Sequence, residues 1–165
     1  MKANIPSFLR TEFARTRGND SSFEIRARMP SEIEAISPLV DRMIRLIEES
    51  HCVLGDEPAV GLALREALNN AVLHGNRLDR LKFVQVHCKC ELDKGVSMVI
   101  SDQGRGFDPS VVPDPSVAGS LDEEHGRGIL LMRWLMDEVS FEFGYGGTEV
   151  HMHKRRGGVT NDAEK

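Results

Sequence analysis

The chain has 165 residues, of which 40% are hydrophobic and 28% charged, the composition of one ordinary globular domain. Its formal net charge of −5 argues against direct binding to nucleic acid, because nucleic-acid binders carry a basic stripe. No window approaches the ~18 uncharged apolar residues of a membrane span, and the N-terminus lacks the apolar core of a signal peptide. The expected location is therefore the cytoplasm, with no membrane partner.

Two short patterns of metal-binding residues are too incomplete to predict a metal site. Cys88 and Cys90 form a C-x-C pair with no second pair, and Cys52 makes the count odd, so buried reduced thiols are the better interpretation. His151 and His153 form an H-x-H pair on a predicted strand, but no nearby Asp, Cys or third His completes a set. A solvated strand face is therefore expected at the two histidines.

The first third of the chain contains one predicted strand and one predicted helix. Residues 1–21 show little periodicity and are expected to be a flexible segment. Residues 22–30 alternate apolar and charged side chains, which predicts a half-buried strand. The sequence from 30 to 51 has an apolar stripe at helical spacing, and Ser31 and Glu34 match an S-x-x-E capping box at its start.

A second helix is predicted to follow Asp56, a plausible N-cap residue, and to end at Gly75. Two strands are then expected within residues 80–92 and 95–102, joined by a short turn. Residues 103–128 are rich in Gly, Pro and Asp and are predicted to form a long loop. Loops of this length in small domains are usually functional lids or disordered segments.

The last part of the chain is predicted to contain a helix over 128–139, strands at 140–145 and 148–154, and a disordered tail at 156–165. The elements do not alternate as strand and helix, and neighbouring strands are joined by short turns. This order predicts an α+β fold, a two-layer sandwich with helices packed on one face of a mixed, largely antiparallel sheet. The domain is expected to span residues 22–155.

Polar side chains interrupt the second predicted helix in the stretch "EALNNAVLHGN". Glu66 and Asn70 are four residues apart and share one side of the helix, where a carboxylate and an amide oxygen can serve a nucleophile and Mg²⁺ together. The alternative is a polar helix edge with local hydrogen bonds. Two asparagines, Asn69 and Asn70, disfavour that alternative because Asn is a poor residue for a helix interior. His74, one turn further on, fits a structural histidine slightly better than a site residue.

An aspartate at the end of a predicted apolar strand is the second candidate. Asp102 is followed by Gly104 and Gly106. A carboxylate here can accept a hydrogen bond from the exocyclic amine of adenine, and the glycines let a flat ring come close to the backbone. A turn that closes the strand explains the same pattern equally well.

Two further patterns are weak when each is taken alone. Gly126 and Gly128 stand just before the third predicted helix, whose free N–H groups could hold a phosphate, and Arg127 could add a charge-assisted contact. A helix start with convenient glycines is the alternative. Thr148 enters the last predicted strand after a pair of glycines, which by itself is an ordinary turn.

Together, in this order, the four patterns resemble the GHKL (Bergerat-fold) ATPase superfamily over about residues 23–154. The N box would be Glu66–His74, the G1 box Asp102–Gly106 and the G2 box Gly126–Gly128, with Thr148 in the last glycine–threonine element. Within the superfamily the chain looks most like the small anti-sigma-factor serine/threonine kinases of bacteria. The stretch "EALNNAVLHGN", the helix "GRGILLMRWLMDEV" and the compact size are the specific points.

The resemblance implies a role for each matching residue. Glu66 would be the general base on the attacking hydroxyl, and Asn70 would hold the Mg²⁺ that bridges the phosphates of ATP. Asp102 would bind the adenine amine, with Gly104 and Gly106 beside the ring. No position departs from the pattern, so an ATP-blind relative is not expected.

The remaining implied residues lie in the second half of the chain. Gly126 and Gly128 would belong to the lid over the phosphates, and Thr148 would support the adenine contact through its hydroxyl. Arg105 and Arg127 are weaker candidates for nucleotide contacts.

The resemblance also implies partners. A kinase of this branch would sequester a sigma factor, phosphorylate an antagonist protein on Ser or Thr, and form a homodimer through the sheet side. Two alternatives stay open: a nucleotide-dependent regulatory binding module without significant kinase activity, and a free-standing ATPase domain like that of histidine kinases.

Overall fold

Six antiparallel strands and three helices make up the computed structural model, which describes residues 12–17, 22–106, 124–144 and 146–157. The strands are β1 (Glu12–Arg17), β2 (Ser22–Pro30), β3 (Phe83–Glu91), β4 (Gly95–Ser101), β5 (Glu138–Gly144) and β6 (Gly147–Lys154). The helices are α1 (Ile36–Ser50), α2 (Glu57–Asn70) and α3 (Glu124–Leu135). The strands lie in the order β1-β2-β3-β4-β6-β5, and every described pair is antiparallel.

One face of the sheet forms the core with the helices, and the other faces solvent. Side chains along β2, β3, β4 and β6 alternate between the two faces, so every second residue is buried. The largest buried side chains come from both layers: Ile25, Met29, Met98 and Ile100 from the sheet, and Met43, Ile47, Leu64, Leu68 and Met132 from the helices. Burying each of these stabilises the fold by about 1.5–3 kcal/mol. The predicted two-layer α+β sandwich is confirmed.

Helix α2 carries the predicted N box and packs its apolar stripe into the core. It begins after Asp56, which occupies the N-cap position as predicted, although its side chain makes no capping hydrogen bond. A π-helical turn, Ala71–Gly75, continues the helix. The N–H of Asn76 donates to the Ala71 carbonyl at 2.7 Å, so the helical path reaches Gly75 as the sequence predicts.

Helix α1 starts later than the predicted capping box requires. A 3₁₀ turn occupies Ile33–Ala35, and the α-helix begins at Ile36. The backbone N–H of Ser31 donates to the Lys82 carbonyl at 3.1 Å, and the Ser31 Oγ is buried with no hydrogen-bond partner among the described residues. The predicted capping box is therefore wrong, because the 3₁₀ turn separates Ser31 from the first α-helical turn.

Helix α3 starts and ends earlier than predicted. It begins at Glu124, so Gly126 and Gly128 lie inside the helix and not before it. Glycine is a poor helix former, but Gly128 is buried against α2, and this packing outweighs the local preference. Beyond its end at Leu135, the N–H of Asp137 pairs with a carbonyl of β6 at 3.0 Å, which draws the chain into β5.

Strand β1 was not predicted from the sequence. It lies within residues 1–21 and pairs with β2 along its whole length, from Glu12 opposite Arg28 to Arg17 opposite Phe23. Glu12 and residues 14–17 are exposed, and the sequence of the strand has no apolar alternation to reveal it. Residues 1–11, 107–123 and 158–165, which include most of the predicted loop and tail, lie outside the described residues.

The three cysteines are free and buried, as predicted. A hydrogen bond with Cys90, together with burial, raises the pKa of the Cys52 thiol above its ordinary value. Both effects keep this thiol protonated in the core. None of the described helices has the length and apolar character needed to cross a membrane.

Candidate functional site

Asp102 directly follows β4 and is fixed by backbone groups on two sides. Its side chain is 9% exposed, and its Oδ1 accepts the N–H of Gly104 at 2.8 Å and that of Thr148 at 3.1 Å. Its own N–H donates to the Thr148 carbonyl at 3.0 Å, which joins the end of β4 to the start of β6. Both described hydrogen bonds to the carboxylate use one oxygen, so the orientation of the other oxygen is set before any ligand binds.

The buried position changes the acidity of this carboxyl group. Burial raises the pKa of Asp102 above its ordinary value, because the charged form loses hydration. The N–H groups of Gly104 and Thr148 and the positive charge of Lys82 offset part of this effect. A charged oxygen with little hydration gains much from a donor on a ligand, which is the property an amine-binding group needs.

Three glycines pack so closely around Asp102 that a side chain at any of them would overlap protein atoms. A Cβ on Gly75 would overlap the Asp102 carboxylate, and a Cβ on Gly147 would overlap its carbonyl. A Cβ on Gly104 would overlap the Gly75 carbonyl. Three segments meet at this point: the helical path that ends at Gly75, the loop that follows Asp102, and the start of β6. They can come this close because Gly75, Gly104 and Gly147 carry no side chain.

Glu66 and Asn70 converge on a single residue of α3. An ideal Cβ on Gly128 would lie 3.0 Å from Glu66 Oε2, 3.6 Å from Asn70 Nδ2 and 3.7 Å from Asn70 Oδ1. Both side chains are half-buried, and they share one side of α2, as their spacing predicts. The glycine thus allows α3 to approach the two polar groups without covering them.

An amide clamp that the sequence analysis missed connects α2 to the Asp102 loop. Asn76, 1% exposed, donates from Nδ2 to the Phe83 carbonyl at 3.0 Å and accepts the Gln103 N–H on Oδ1 at 2.8 Å. A second hydrogen bond joins Gln103 to Phe83, because the Gln103 Oε1 accepts the Phe83 N–H at 2.7 Å. We call Asn76, Phe83 and Gln103 the amide clamp; it fixes the residue next to Asp102 relative to the end of the N-box helix.

The other predicted site residues are placed less decisively. Gly106 has a φ of +75°, which favours glycine there whatever the surroundings. Arg105 and Arg127 are exposed, and Gly126 lies in the first turn of α3. Thr148 is buried and contacts Asp102 through its backbone, so the part assigned to its hydroxyl stays a prediction. Asn69 is half-buried and His74 exposed on the last turns of the N-box helix.

Replacing Asn76 with alanine is expected to destabilise the fold by about 2 kcal/mol, because the Gln103 N–H and the Phe83 carbonyl would lose their partner in a partly buried position. Urea unfolding of the purified protein measures the effect. The matched control is Asn69→Ala, which removes a mid-helix asparagine and should leave stability equal or slightly higher. Equal unfolding midpoints for Asn76→Ala and the unmodified protein would contradict the clamp.

The donor set fits a nucleotide with its magnesium ion. A hard cation takes oxygen ligands and keeps several waters, and the amide oxygen of Asn70 beside the Glu66 carboxylate meets that requirement. The second oxygen of the Asp102 carboxylate takes no part in the hydrogen bonds to Gly104 and Thr148, so it can accept a hydrogen bond from the amine of a ring.

Comparison with known proteins agrees with this geometry. A family model described as "Histidine kinase-like ATPase domain" matches residues 29–154, which is most of the chain. The chain belongs to this family. The match confirms the superfamily that the four motifs indicated, and the stretches 66–76 and 102–106 lie within the matched range.

Two curated relatives show which members this ATPase domain is similar to. Serine/threonine-protein kinase BtrW of Bordetella bronchiseptica is 32% identical over 83 residues, which cover 49% of this chain and 58% of BtrW. Serine-protein kinase RsbW of Staphylococcus aureus is 26% identical over 150 residues, which cover 86% of this chain and 93% of RsbW. Both relatives are named as serine or serine/threonine kinases, in line with the branch that the resemblance indicated.

Sequence reasoning missed Gly75 as a site residue, together with Asn76, Gln103 and Gly147. The signals were present: "HGN" directly follows the N box, and "DQG" begins the next motif. Their roles in this ATPase domain depend on contacts between distant parts of the chain, such as the 27-residue separation of Asn76 and Gln103.

Proposed function

We propose that this chain is an ATP-dependent protein serine/threonine kinase that binds a sigma factor and phosphorylates an antagonist protein. The observation that carries the proposal is that Glu66 and Asn70 of α2 converge on Gly128 of α3, while the π-helical turn that continues α2 meets the buried Asp102 at Gly75. A base, a magnesium ligand and an amine acceptor are then linked by one rigid element. The names of the two relatives support transfer to serine or threonine.

In this proposal the adenine ring binds beside Asp102, where Gly104 follows it in the chain. Its exocyclic amine donates to the Asp102 carboxylate, whose other contacts already fix its orientation. Gly104 and Gly106 leave the backbone open to the ring, and Thr148 supports the contact from β6. The triphosphate then lies toward α3, near Gly126, Arg127 and Gly128.

Phosphate transfer needs positioning and charge neutralisation more than covalent chemistry from the protein. The magnesium ion held by Asn70 would supply the neutralisation of the triphosphate charge. Glu66 would accept the proton of a serine or threonine hydroxyl as that oxygen attacks the γ-phosphorus. The bond between the γ-phosphorus and the oxygen bridging to the β-phosphate would break, and ADP would leave with that oxygen. Because Glu66 is half-buried beside Gly128, its carboxylate is reachable from the phosphate side.

The proposal includes a homodimer that uses the outer, solvent-facing side of the sheet. The polar residues of β2 and β3 on that side, among them Arg26, Arg28 and Gln85, would lie in the dimer contact. The domain boundary at residue 155 belongs to the same proposal, and the boundary expected at residue 22 is moved back so that the domain includes β1.

Phosphoamino-acid chemistry tests the proposed activity. The purified protein, labelled ATP and Mg²⁺ are incubated with extract of the native host, and the expected result is a labelled protein whose phosphate survives acid. A Glu66→Gln enzyme should give no such band. An acid-labile label would favour the histidine kinase-like alternative. ATP binding with no label, and partner capture unchanged in Glu66→Gln, would favour the regulatory binding module.

A further inference from the structure

Two carboxylates and one imidazole meet on the solvent-facing side of the sheet, away from the nucleotide site. Glu142 of β5 lies directly opposite Glu149 of β6, and His151 follows two residues later on the same face of β6. The core-facing neighbours Thr148 and Val150 point to the other side. Glu142, Glu149 and His151 are here called the outer-face triad.

The distances within the outer-face triad are too long for hydrogen bonds. The Nε2 of His151 lies 3.7 Å from Glu142 Oε1 and 3.5 Å from Glu149 Oε2, whereas hydrogen bonds between nitrogen and oxygen are about 2.7–3.2 Å long. This Nε2 is itself buried and has no hydrogen-bond partner among the described residues. A buried polar nitrogen aimed between two carboxylates, without a bond to either, leaves its hydrogen-bonding capacity unused.

The same distances fit three ligands of one metal ion. The three ligand atoms all lie within 4.8 Å of one another. Metal–ligand bonds of about 2.0–2.2 Å at tetrahedral angles would separate neighbouring ligand atoms by about 3.3–3.6 Å. The two separations from His151 Nε2 therefore need to change by only a few tenths of an ångström to close on an ion.

The charges of the outer-face triad also favour a cation. Like charges directly opposite each other on neighbouring strands repel, as Glu142 and Glu149 do. Within the part of the chain that the structure describes, the only ion-pair partner of either carboxylate is His151. The Oγ of Ser101 donates to Glu149 Oε1 at 3.0 Å, which orients the other oxygen toward His151 as an outer hydrogen bond orients a metal ligand.

We propose that the outer-face triad binds a Zn²⁺ ion, with water completing its coordination. One imidazole nitrogen and two carboxylate oxygens suit zinc, whereas Mg²⁺ prefers oxygen ligands alone and keeps most of its water. The site is independent of the proposed kinase activity, because it lies on the opposite face of the sheet from Asp102 and shares no residue with the nucleotide site. Only one histidine of the H-x-H pattern, His151, belongs to this site. The Nδ1 of the other histidine, His153, lies 3.0 Å from Ser97 Oγ in a separate pair.

Calorimetric titration with Zn²⁺ tests the site. The protein is full-length, untagged and treated with a chelator beforehand, and no nucleotide is present. We expect saturable binding of one ion, an affinity at least about 10-fold weaker for His151→Ala and for Glu149→Gln, and no displacement by excess Mg²⁺. The matched control is His153→Ala, which removes the neighbouring imidazole and should leave the affinity unchanged. Far-ultraviolet circular dichroism checks that each variant is folded.

Three outcomes would overturn the inference. Zinc that does not bind saturably, an affinity unchanged in both His151→Ala and Glu149→Gln, or equal losses in His151→Ala and His153→Ala would each show that the outer-face triad is not a zinc site.

Discussion

Replacing Glu66 with glutamine is expected to slow phosphate transfer by about 10²- to 10⁴-fold, because the attacking hydroxyl would lose its general base. The affinity for ATP should change little, since glutamine has the same shape and the carboxylate acts on the acceptor and not on the adenine. A fall in kcat with an unchanged KM for ATP is the expected kinetic signature. Single-turnover transfer from labelled ATP measures it.

A second acidic residue provides the control for this experiment. Glu48 is exposed on α1, so Glu48→Gln should leave transfer unchanged. A Glu66→Gln enzyme that transfers phosphate as fast as the Glu48→Gln control would remove Glu66 from the mechanism. Equal affinities of Glu66→Gln and Glu48→Gln for ATP, measured alongside, would show that the nucleotide site is intact in both variants.

Replacing Asp102 with asparagine is expected to weaken ATP binding by about 100-fold while leaving the fold intact. The Oδ1 of asparagine can still accept the N–H groups of Gly104 and Thr148, so the local structure should persist. The second oxygen becomes an amide NH₂, which would face the adenine amine donor to donor. Equilibrium binding of a fluorescent ATP analogue measures the loss, and Asp93→Asn, an exposed change in the β3–β4 turn, is the control.

The same variant has a predictable effect on the stability of the empty protein. Burial raises the pKa of Asp102 in the folded state. At a pH between the ordinary and the raised pKa, the folded protein therefore holds a proton that the unfolded chain has already lost. Stability therefore falls as the pH rises above the ordinary carboxyl value of 3.8 and through the raised value. Asp102→Asn removes this term, so its unfolding temperature at neutral pH should equal or exceed that of the unmodified protein. A clearly lower value would mean that the charge stabilises the empty fold.

The elements with strong local signals were predictable from sequence. Alternation over residues 22–30 gave the bounds of β2, and the helical stripe after Asp56 gave α2 as far as its π-helical end. The Glu66 and Asn70 pair could be placed on one side of a helix from spacing alone. These features depend on the chain within a few residues, where periodicity is informative.

Features that depend on contacts between distant residues were not predictable in the same way. Strand β1 exists because β2 offers it an edge, and its own residues carry no alternation. Gly128 was predicted to precede a helix. Its place inside α3 depends on its contact with Glu66 of α2, and a contact with another element leaves no local signal in the sequence. The amide clamp and the outer-face triad join residues from different elements, and no local pattern links them.

The π-helical turn after α2 has a consequence for insertions and deletions. In this turn the Asn76 N–H reaches back five residues to Ala71, so the turn holds more residues than an α-helical one. Deleting one exposed residue of this turn, such as Leu73, would leave an α-helical turn in its place and keep Gly75 facing Asp102, whereas inserting a further residue would rotate Gly75 away by about 100°. The turn can therefore lose a residue, but it cannot take up another.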